Sequence, residues 1–344
     1  MNMILNERKL MILQAIVRDY IDSAEPVGSR SLSRKYDLGI SPATIRNEMA
    51  DLEELGLIKQ PHTSAGRIPS DKGYRFYVDQ LMIIKQKADK NRVKFRSELL
   101  RKYNELEQLL QVTSKLLSDF THYTSIVLAP QAKKSRLKHI RLARLDSENM
   151  LVIFVTNTGL IQNPVFRIPP ELADEDLEII SNFLNHEFAG CPLEEIESRM
   201  AGELQEELYN LNKKVKGVLP EVFKTLETMS DADLFLSGST NIFNFPEFSD
   251  MAKARDFLAL LEEKQVISQL ITGNDGSRMN ISIGSENQIQ QVQDCSIVTA
   301  SYEVDDRTVG WLSVIGPTRM DYSHVIDVLD QMSRLMNQAL REKS

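Results

Sequence analysis

The sequence predicts an α+β fold in which a small, mainly helical N-terminal unit precedes a larger unit built around a β-sheet. Helical periodicity dominates residues 6–84, apart from one short apolar run at 57–60. Short apolar runs typical of strands follow between residues 125 and 168 and again between 233 and 315. A mainly helical block at 174–229 separates these two groups. This order indicates one sheet domain that is interrupted by an insertion.

The first two predicted helices span residues 6–24 and 30–36. Asn6 is expected to cap the first helix and Ser29 the second, because short polar side chains accept hydrogen bonds from the free N–H groups of a first turn. Leu32 is the expected core residue of the short helix. A turn that contains Gly39 then leads into a third helix, which is the arrangement of a helix-turn-helix.

The third helix has clear start and stop signals. Ser41 is a favourable N-cap, and Pro42 occupies the first helical position, where its missing N–H costs nothing. Gly56 can take the left-handed conformation that ends a helix. One face carries apolar residues at helical spacing, and we expect that face to be buried; its residues are Ile45, Met49 and Leu52.

The opposite face of this helix carries Ala43, Asn47 and Ala50, with Thr44 and Arg46 beside them. Small residues would let the helix lie close to a DNA major groove, where Asn can bind adenine and Arg can bind guanine. Such a face is equally typical of ordinary solvated surface. The helix alone leaves both interpretations open.

The next segment favours DNA binding. A short strand at 57–60 is followed by a compact loop at 62–67, and a further helix opens near 69–71. Helix, strand, hairpin and helix is the order of a winged helix, in which the hairpin holds phosphate while the preceding helix contacts bases. The predicted DNA-binding residues are Ser41, Thr44, Arg46, Asn47, Lys59, His62, Thr63 and Arg67, together with Arg30 and Arg34 on the preceding helix. For Arg30 and Arg34, surface charge without a DNA role is an equal alternative.

The net charge of −8 is unevenly distributed. Residues 1–84 contain 11 basic and 11 acidic residues, so the whole deficit lies in the remainder of the chain. A unit with no net charge can still bind DNA when its cations lie on one surface. The two cysteines match no metal-ligand or redox spacing, which suits a reducing cytoplasm. No signal peptide and no apolar run long enough to cross a membrane is expected.

Three stretches of the chain resemble a known family: residues 41–81, which include GRIPSDKGYRFYVDQL, then SIGSENQ at 282–288 and CSIVTASYEVDDRTVGWLSVIGPTRMDY at 295–322. On these stretches the chain resembles the HrcA family of bacterial heat-inducible transcription repressors. It implies a homodimer that binds double-stranded DNA at an inverted-repeat operator called CIRCE and is modulated by the chaperonin GroEL. It also implies a GAF-like domain that carries an inserted dimerisation domain.

These features predict the domain organisation. We expect a winged-helix domain at 1–84, a linker at 85–92, a GAF-like domain at 93–165 and 250–344, and the dimerisation domain at 166–249. The linker carries four cations and one acidic residue and has little apolar anchoring, so we expect the head to vary in orientation.

An amphipathic helix is predicted at 93–120, with apolar residues at alternating spacings of four and three. This seam could pair with its twin in a dimer, or it could lie along the sheet of its own domain. Strands are expected at 233–243, 266–271, 278–283, 296–304 and 308–315, before a final helix at 323–340.

No motif for an enzyme is present, since the chain lacks a phosphate-binding loop, a dinucleotide fingerprint, a zinc-protease motif and a nucleophile elbow. The five histidines have no metal-ligand spacing. We therefore expect neither enzymatic activity nor a cofactor. The turn that starts at Gly238 could cradle an anion, although a simple turn explains it better. The alternative to a chaperone-linked repressor is a metabolite-responsive regulator, because GAF-like sheets often hold a small molecule.

Overall fold

The computed structural model describes residues 5–36, 38–62, 65–85, 106–130, 135–168, 172–200, 233–272, 277–304 and 307–341. We call residues 5–85 the head and the described residues from 106 onward the body. The head contains α1 (Glu7–Ser23), α2 (Ser29–Lys35), α3 (Pro42–Glu54), β1 (Ile58–Lys59), β2 (Ile68–Pro69) and α4 (Asp71–Lys85).

The head has the order of elements predicted for a winged helix. β1 and β2 pair antiparallel, with Ile58 opposite Pro69 and Lys59 opposite Ile68. Asn6 caps α1, as predicted, by accepting from the backbone N–H of Lys9 at 2.8 Å. The predicted cap of α2 is wrong by one position. Ser29 is the first helical residue, and Gly28 occupies the N-cap without a side-chain hydrogen bond.

A five-stranded antiparallel sheet, which we call the central sheet, organises the body in the order β8-β3-β11-β10-β9. Its strands are β3 (Thr124–Leu128), β8 (Leu234–Ser237), β9 (Met279–Ile283), β10 (Cys295–Val304) and β11 (Arg307–Pro317). One face packs against α5 (Leu106–Thr121) and the C-terminal helix, and the other against a pair of helices that precedes β9. Because apolar residues cover both faces, these strands show little of the alternation that marks a half-exposed sheet.

A second sheet lies between β3 and β8 in the chain. It contains β4 (Leu137–Arg144), β5 (Asn149–Thr156), β6 (Ile161–Gln162) and β7 (Val165–Arg167), and it is followed by α6 (Asp174–Phe188) and α7 (Leu193–Met200). Alternate residues of β5 are buried, and they pack with α6 and α7 into a core of their own. This sheet shares no strand pairing with the central sheet in the described residues.

The strand pairing differs from the predicted division of the chain. β4 and β5 fall within 93–165, which we assigned to the GAF-like domain, yet they belong to the second sheet. β8 falls within 166–249, which we assigned to the insertion, yet it pairs with β3. The physical reason is that alternation in a sequence marks a strand but does not identify the strand with which it pairs.

Three helices complete the body: α8 (Met251–Glu262), α9 (Lys264–Thr272) and α10 (Tyr322–Arg341). The strand predicted at 266–271 is wrong, because these residues form α9. Ile267 and Ile271 are its buried residues, and their spacing of four is that of one helix face. A run rich in β-branched residues suggested a strand, and burial on one side overrode that local preference.

Of the two interpretations of the predicted amphipathic helix, the described residues support the second: α5 lies along the sheet of its own domain. It packs against β3, β8 and α10 of its own body, with Leu106, Leu110 and Leu117 buried. The predicted seam residues Leu99 and Tyr103 lie outside the described residues, as do the linker residues 86–92.

Candidate nucleic-acid interface

The first turn of α3 is built as the sequence predicts. Ser41 has an extended backbone, and its hydroxyl accepts from the N–H of Thr44 at 3.1 Å. The Ser41 and Thr44 hydroxyls also lie 2.9 Å apart, so each is already hydrogen-bonded within the protein. At the other end, Gly56 has a φ of 73°, which is the left-handed conformation expected there. These caps fix where the helix starts and stops.

The two faces of α3 are cleanly separated. Ile45, Met49 and Leu52 are buried in the head. The opposite side exposes Ala43, Arg46, Asn47 and Ala50, which we call the recognition face. No described residue forms an ion pair with Arg46, and its guanidinium is therefore available to a partner outside the chain.

Three of the four acidic residues of α3 are paired with cations inside the head. Lys9 Nζ lies 2.8 Å from a carboxylate oxygen of Glu48 and 2.8 Å from one of Asp51. The hydrogen bond to Asp51, followed by that to Glu48, raises the pKa of Lys9. Glu53 accepts a hydrogen bond from Arg67 Nε at 2.9 Å, and the same carboxylate oxygen lies 2.8 Å from Arg67 Nη2 in an ion pair. These pairings reduce the negative charge that the helix would otherwise carry towards a polyanion.

Four of the exposed cations that have no ion pair belong to three neighbouring elements. Arg30 and Arg34 lie on α2, Arg46 on α3 and Lys59 on β1. Across the described part of the chain, none of the four has an ion-pair partner. His62 is exposed at the start of the hairpin loop. The head thus combines internal ion pairs with a set of cations that have no ion-pair partner among the described residues.

Arg67 occupies a different environment from the other predicted phosphate contacts. Its side chain is 22% exposed and bound to Glu53, and its backbone exchanges two hydrogen bonds with Val27, at 2.8 and 2.9 Å. The neighbouring Gly66 lies so close to Val27 that a Cβ there would fall 2.5 Å from the Val27 carbonyl group. Arg67 therefore ties the base of the hairpin to α3. Thr63 lies outside the described residues.

Sequence reasoning missed these internal ion pairs. Arg67 and Glu53 are 14 positions apart, and Lys9 lies in a different helix from both of its partners. Spacing rules detect charge pairs three or four residues apart on one helix, but they are silent about pairs formed by tertiary packing. No sequence signal distinguished Arg67 from Arg46.

The body offers a polar cavity of about 440 Å³ at the end of α5. It is lined by Lys115, Ser118, Asp119, His122, Ser237, Gly238 and Asn241. The Asn241 amide donates to Ser118 Oγ at 3.0 Å and to the Tyr123 carbonyl at 3.2 Å. Gly238, with a φ of 69°, packs against the Ser118 side chain. These contacts give the turn at 238–241 a structural role.

The described residues give little support for metal binding or for a reactive cysteine. They contain no cluster of three or more His, Cys, Asp or Glu residues that could hold a metal ion. Burial raises the pKa of the Cys295 thiol to about 12, which disfavours the reactive thiolate. No described helix is both long and apolar enough to cross a membrane.

Comparison with known proteins identifies the family. The sequence model described as "HrcA protein C terminal domain" matches residues 107–326. Two heat-inducible transcription repressors of this family, from Alkaliphilus metalliredigens and Ruminiclostridium cellulolyticum, are 51% identical over 339 residues and 45% identical over 341 residues. Each alignment covers 98% of this chain, and they cover 99% and 98% of the respective relatives.

A crystal structure described as that of a hypothetical protein matches the fold with a TM-score of 0.65 at 22% identity. The match covers 99% of this chain and 100% of that one. At such identity, the likeness supports the fold alone. The sequence matches carry the functional conclusion, since they extend from the head to the C-terminal helix. The chain belongs to the HrcA family of heat-inducible transcription repressors, which are DNA-binding regulators and not enzymes.

Proposed function

We propose that this repressor binds an inverted-repeat operator, CIRCE, as a homodimer, and that GroEL modulates its activity. The recognition face of α3 is the observation that carries the proposal. It presents Arg46 and Asn47 between two alanines, while acidic residues on the same helix are paired within the head. Arg and Asn side chains can bind guanine and adenine bidentately in a major groove.

Phosphate contacts would come from the elements on either side of α3. We expect the exposed Arg30 and Arg34 to contact one DNA backbone and Lys59 and His62 in the hairpin to contact the other. Ser41 and Thr44 stand at the N-terminus of α3, where free backbone N–H groups also favour a phosphate. Thr63 would join the hairpin contacts. Arg67 would act indirectly, by holding the hairpin against α3.

The experiment compares two duplexes of equal length and composition, one with the inverted repeat and one with its half-sites scrambled. Full-length protein is titrated onto each over a range of salt concentrations. We expect binding to the inverted repeat to be at least about 10³-fold tighter, as for specific recognition in general. Equal affinities at every salt concentration would show that the head binds DNA only through charge.

A homodimer follows from the operator, because a twofold inverted repeat is matched by two heads related by a twofold axis. The second sheet supports this proposal. The face turned away from α6 carries Leu151, Ile153 and Val155 along β5. Beside them, Ile161 is 60% exposed and Val165 is 52% exposed. A second copy of this face would bury those apolar side chains, whose exposure to water is otherwise unfavourable.

The proposed domain organisation follows the sheets. Residues 1–84 form the winged-helix head and 85–92 the linker. The central sheet is the GAF-like domain. The inserted dimerisation unit would begin near residue 135 and end before β8, since its core draws only on residues between Leu137 and Ile196 in the described chain. The operator on bacterial DNA would place the protein in the cytoplasm.

Modulation by GroEL rests on the family resemblance. We expect GroEL to increase the fraction of repressor that can bind DNA, which raises the apparent affinity in proportion. Operator titrations of the purified full-length chain with and without GroEL measure this ratio. A ratio of one across the accessible temperatures would contradict the proposal.

The cavity at the end of α5 supports a second candidate function, regulation by a small polar metabolite. Lys115 and His122 are exposed at its rim and could hold an anionic group. A ligand at 100 times its dissociation constant adds ~2.7 kcal/mol to the free energy of unfolding. Thermal denaturation of the full chain against a panel of anionic metabolites would detect it. No shift with any of them would remove this candidate.

A further inference from the structure

The head is fastened to the body by contacts between two segments far apart in the chain. The Asp71 carboxylate on α4 accepts from the Ser285 N–H at 3.0 Å and from the Ser285 hydroxyl at 2.8 Å. One turn further along α4, Arg75 Nε donates to Glu286 at 2.8 Å. Arg75 Nη2 also donates to Glu286 and to the Ile281 carbonyl. We call this set of contacts the α4 clamp.

The turn that receives α4 is shaped for this contact. Gly284 has a φ of 55°, and a Cβ at this position would fall 2.5 Å from the Asp71 carboxylate. A side chain there would therefore displace the Asp71 carboxylate from its contacts with Ser285. Glu286 also accepts from the Ile283 N–H at 2.8 Å, which fixes its carboxylate in place before it meets Arg75. Such pre-orientation lowers the entropy lost when the ion pair forms.

A second polar contact holds the C-terminal end of α1. The Arg319 guanidinium donates to the Ile21 carbonyl at 3.0 Å and to Glu247 at 2.5 Å, and it lies 5.7 Å from the centre of the Phe245 ring. The Arg319 side chain is only 11% exposed. Because the cation is largely desolvated, its hydrogen bonds to the head and to Glu247 are strengthened.

Apolar packing fills the space between the two polar contacts. The Tyr74 and Tyr322 rings lie 5.8 Å apart, and one continuous core joins α1 and α4 of the head to α5 and α10 of the body. This arrangement corrects the expectation of a head that varies freely in orientation. The linker composition suggested that the head could change its orientation, but the contacts that fix the head lie outside the linker and join residues more than 200 positions apart in the chain.

We propose that Asp71, Arg75, Glu286 and Arg319 are positioning residues that set the spacing between half-sites that the repressor accepts. This inference rests on the proposed function, since it requires two heads on one inverted repeat. None of the four belongs to the recognition face, so the clamp leaves that face open to DNA. A fixed head offers its recognition helix at one distance and angle from its twin. Half-sites must match that geometry, at about one helical turn or a multiple of it.

The test is a series of duplexes that carry the same two half-sites with spacers lengthened stepwise through about half a helical turn. Full-length Arg75→Ala and Glu286→Ala are titrated onto each duplex and onto a single half-site. Arg75→Ala removes a cation and Glu286→Ala removes an anion, so general electrostatics shifts DNA affinity in opposite directions for the two variants. If both variants lose the preference for the native spacing, the cause is therefore the loss of the α4 clamp and not the change of charge. Lys253→Ala is the control, because it breaks an exposed ion pair with Asp294 entirely within the body.

For both clamp variants we expect the preference for the native spacing to fall about tenfold, the size of a typical coupling between sites. Binding to the single half-site should change by no more than about twofold beyond the charge effect, as for independent sites. The control should keep the wild-type profile. If both clamp variants keep the wild-type preference, the inference is wrong although the proposed function stands. If wild-type protein binds one half-site and the repeat equally well, the proposed function fails, and the inference fails with it.

A reversible variant distinguishes weakening of the α4 clamp from a general loss of folding. Asp71→Cys combined with Ser285→Cys replaces a contact between side chains that meet at 2.8 Å with a pair of thiols. Cys191 and Cys295 are buried and should not interfere. In the reduced protein the clamp is weakened, and spacing tolerance should widen. Oxidation to the disulfide should restore the narrow preference in the same sample. Identical profiles in both states, or loss of operator binding on oxidation, would overturn the inference.

Discussion

Arg46 and Arg67 carry the same charge, but their surroundings indicate different roles. Arg46 stands exposed on the recognition face without an ion-pair partner among the described residues, whereas Arg67 is held by Glu53 at the base of the hairpin. An ion-paired arginine would have to give up those bonds to reach a phosphate. We therefore expect base and phosphate contacts from Arg46, Asn47 and Lys59, and support of the hairpin from Arg67.

The first prediction separates base recognition from phosphate binding. Asn47→Ala and Arg46→Ala should each lose ~1–3 kcal/mol of binding free energy on the operator and little on random DNA, because bidentate base contacts are sequence-specific. Lys59→Ala should weaken binding to both DNAs alike and lower the slope of log affinity against log salt by about one. Titrations at four salt concentrations measure both quantities. Equal losses on the two DNAs for all three variants would mean that α3 is wrongly oriented in our proposal.

The second prediction concerns the tyrosine pair between head and body. The Tyr74 hydroxyl is buried and has no hydrogen-bond partner among the described residues, whereas the Tyr322 hydroxyl is bonded to Ser296 at 2.7 Å and to the Thr318 carbonyl at 2.5 Å. An unsatisfied buried polar group costs ~1–3 kcal/mol. Tyr74→Phe should therefore leave the free energy of unfolding unchanged or raise it.

Tyr322→Phe is the matched control for that measurement. It removes the same atom from the other ring of the pair, but here two hydrogen bonds are lost, and the free energy of unfolding should fall by about 1 kcal/mol. Chemical denaturation of both full-length variants gives the two values. A larger loss for Tyr74→Phe than for Tyr322→Phe would show that the Tyr74 hydroxyl has a partner in solution.

At the scale of elements, sequence signals succeed where the cause of structure is local. Ser41, Pro42 and Gly56 fix the ends of α3 through caps and backbone conformation that involve only a few neighbouring residues. Sequence signals fail where a structure depends on contacts between residues that are far apart in the chain. α9 resembles a strand in sequence until its one-sided burial is known, and β8 gives no sign that its partner is β3, more than 100 residues earlier.

The candidate interface follows the same rule. The recognition face could be predicted from helical periodicity, because residues on one side of a helix share their exposure. The internal pairing of Arg67 and the clamp residues on α4 could not be predicted. Their partners lie 14 and more than 200 positions away in the chain, and no periodic pattern connects such distances.

The third prediction tests the cap of α3. Ser41→Ala removes the hydroxyl that accepts from the Thr44 N–H, and it should lower the free energy of unfolding by about 1 kcal/mol. Ser41→Asp keeps an acceptor at the same position and should retain most of the stability, helped by the favourable field at a helix N-terminus. Denaturation of the full chain without DNA isolates this effect. No loss of stability for Ser41→Ala would show that the cap contributes nothing.

At the scale of the whole molecule, strands of the central sheet lie in the chain before and after the second sheet, which we propose forms the dimer interface, and all of them follow the head, which we propose contacts the operator. The head shares its apolar core with the central sheet, whereas the second sheet has a core of its own. Removal of residues 1–84 would expose the apolar core that the head shares with the central sheet. The truncated protein would then tend to aggregate, and aggregation is difficult to distinguish from specific dimerisation. Point substitutions on the second sheet test the dimer without that difficulty.

The fourth prediction concerns those substitutions. Val165→Asp should convert the dimer to a monomer, because a buried carboxylate without a partner costs several kcal/mol at an interface. Val165 is 52% exposed in the single chain, so the substitution should leave the fold of each protomer intact. Met251→Asp is the control, since Met251 is 74% exposed but begins α8 in the other part of the body. Sedimentation at micromolar concentration measures both states.

Operator binding completes that experiment. A monomer keeps its recognition face, so Val165→Asp should bind a single half-site as the wild type does. It should lose the additional affinity for the inverted repeat, because the second head is no longer tethered at high effective concentration. A Val165→Asp protein that remains dimeric and binds the repeat normally would place the dimer interface away from this sheet face. In that case the apolar row along β5 would need a different partner.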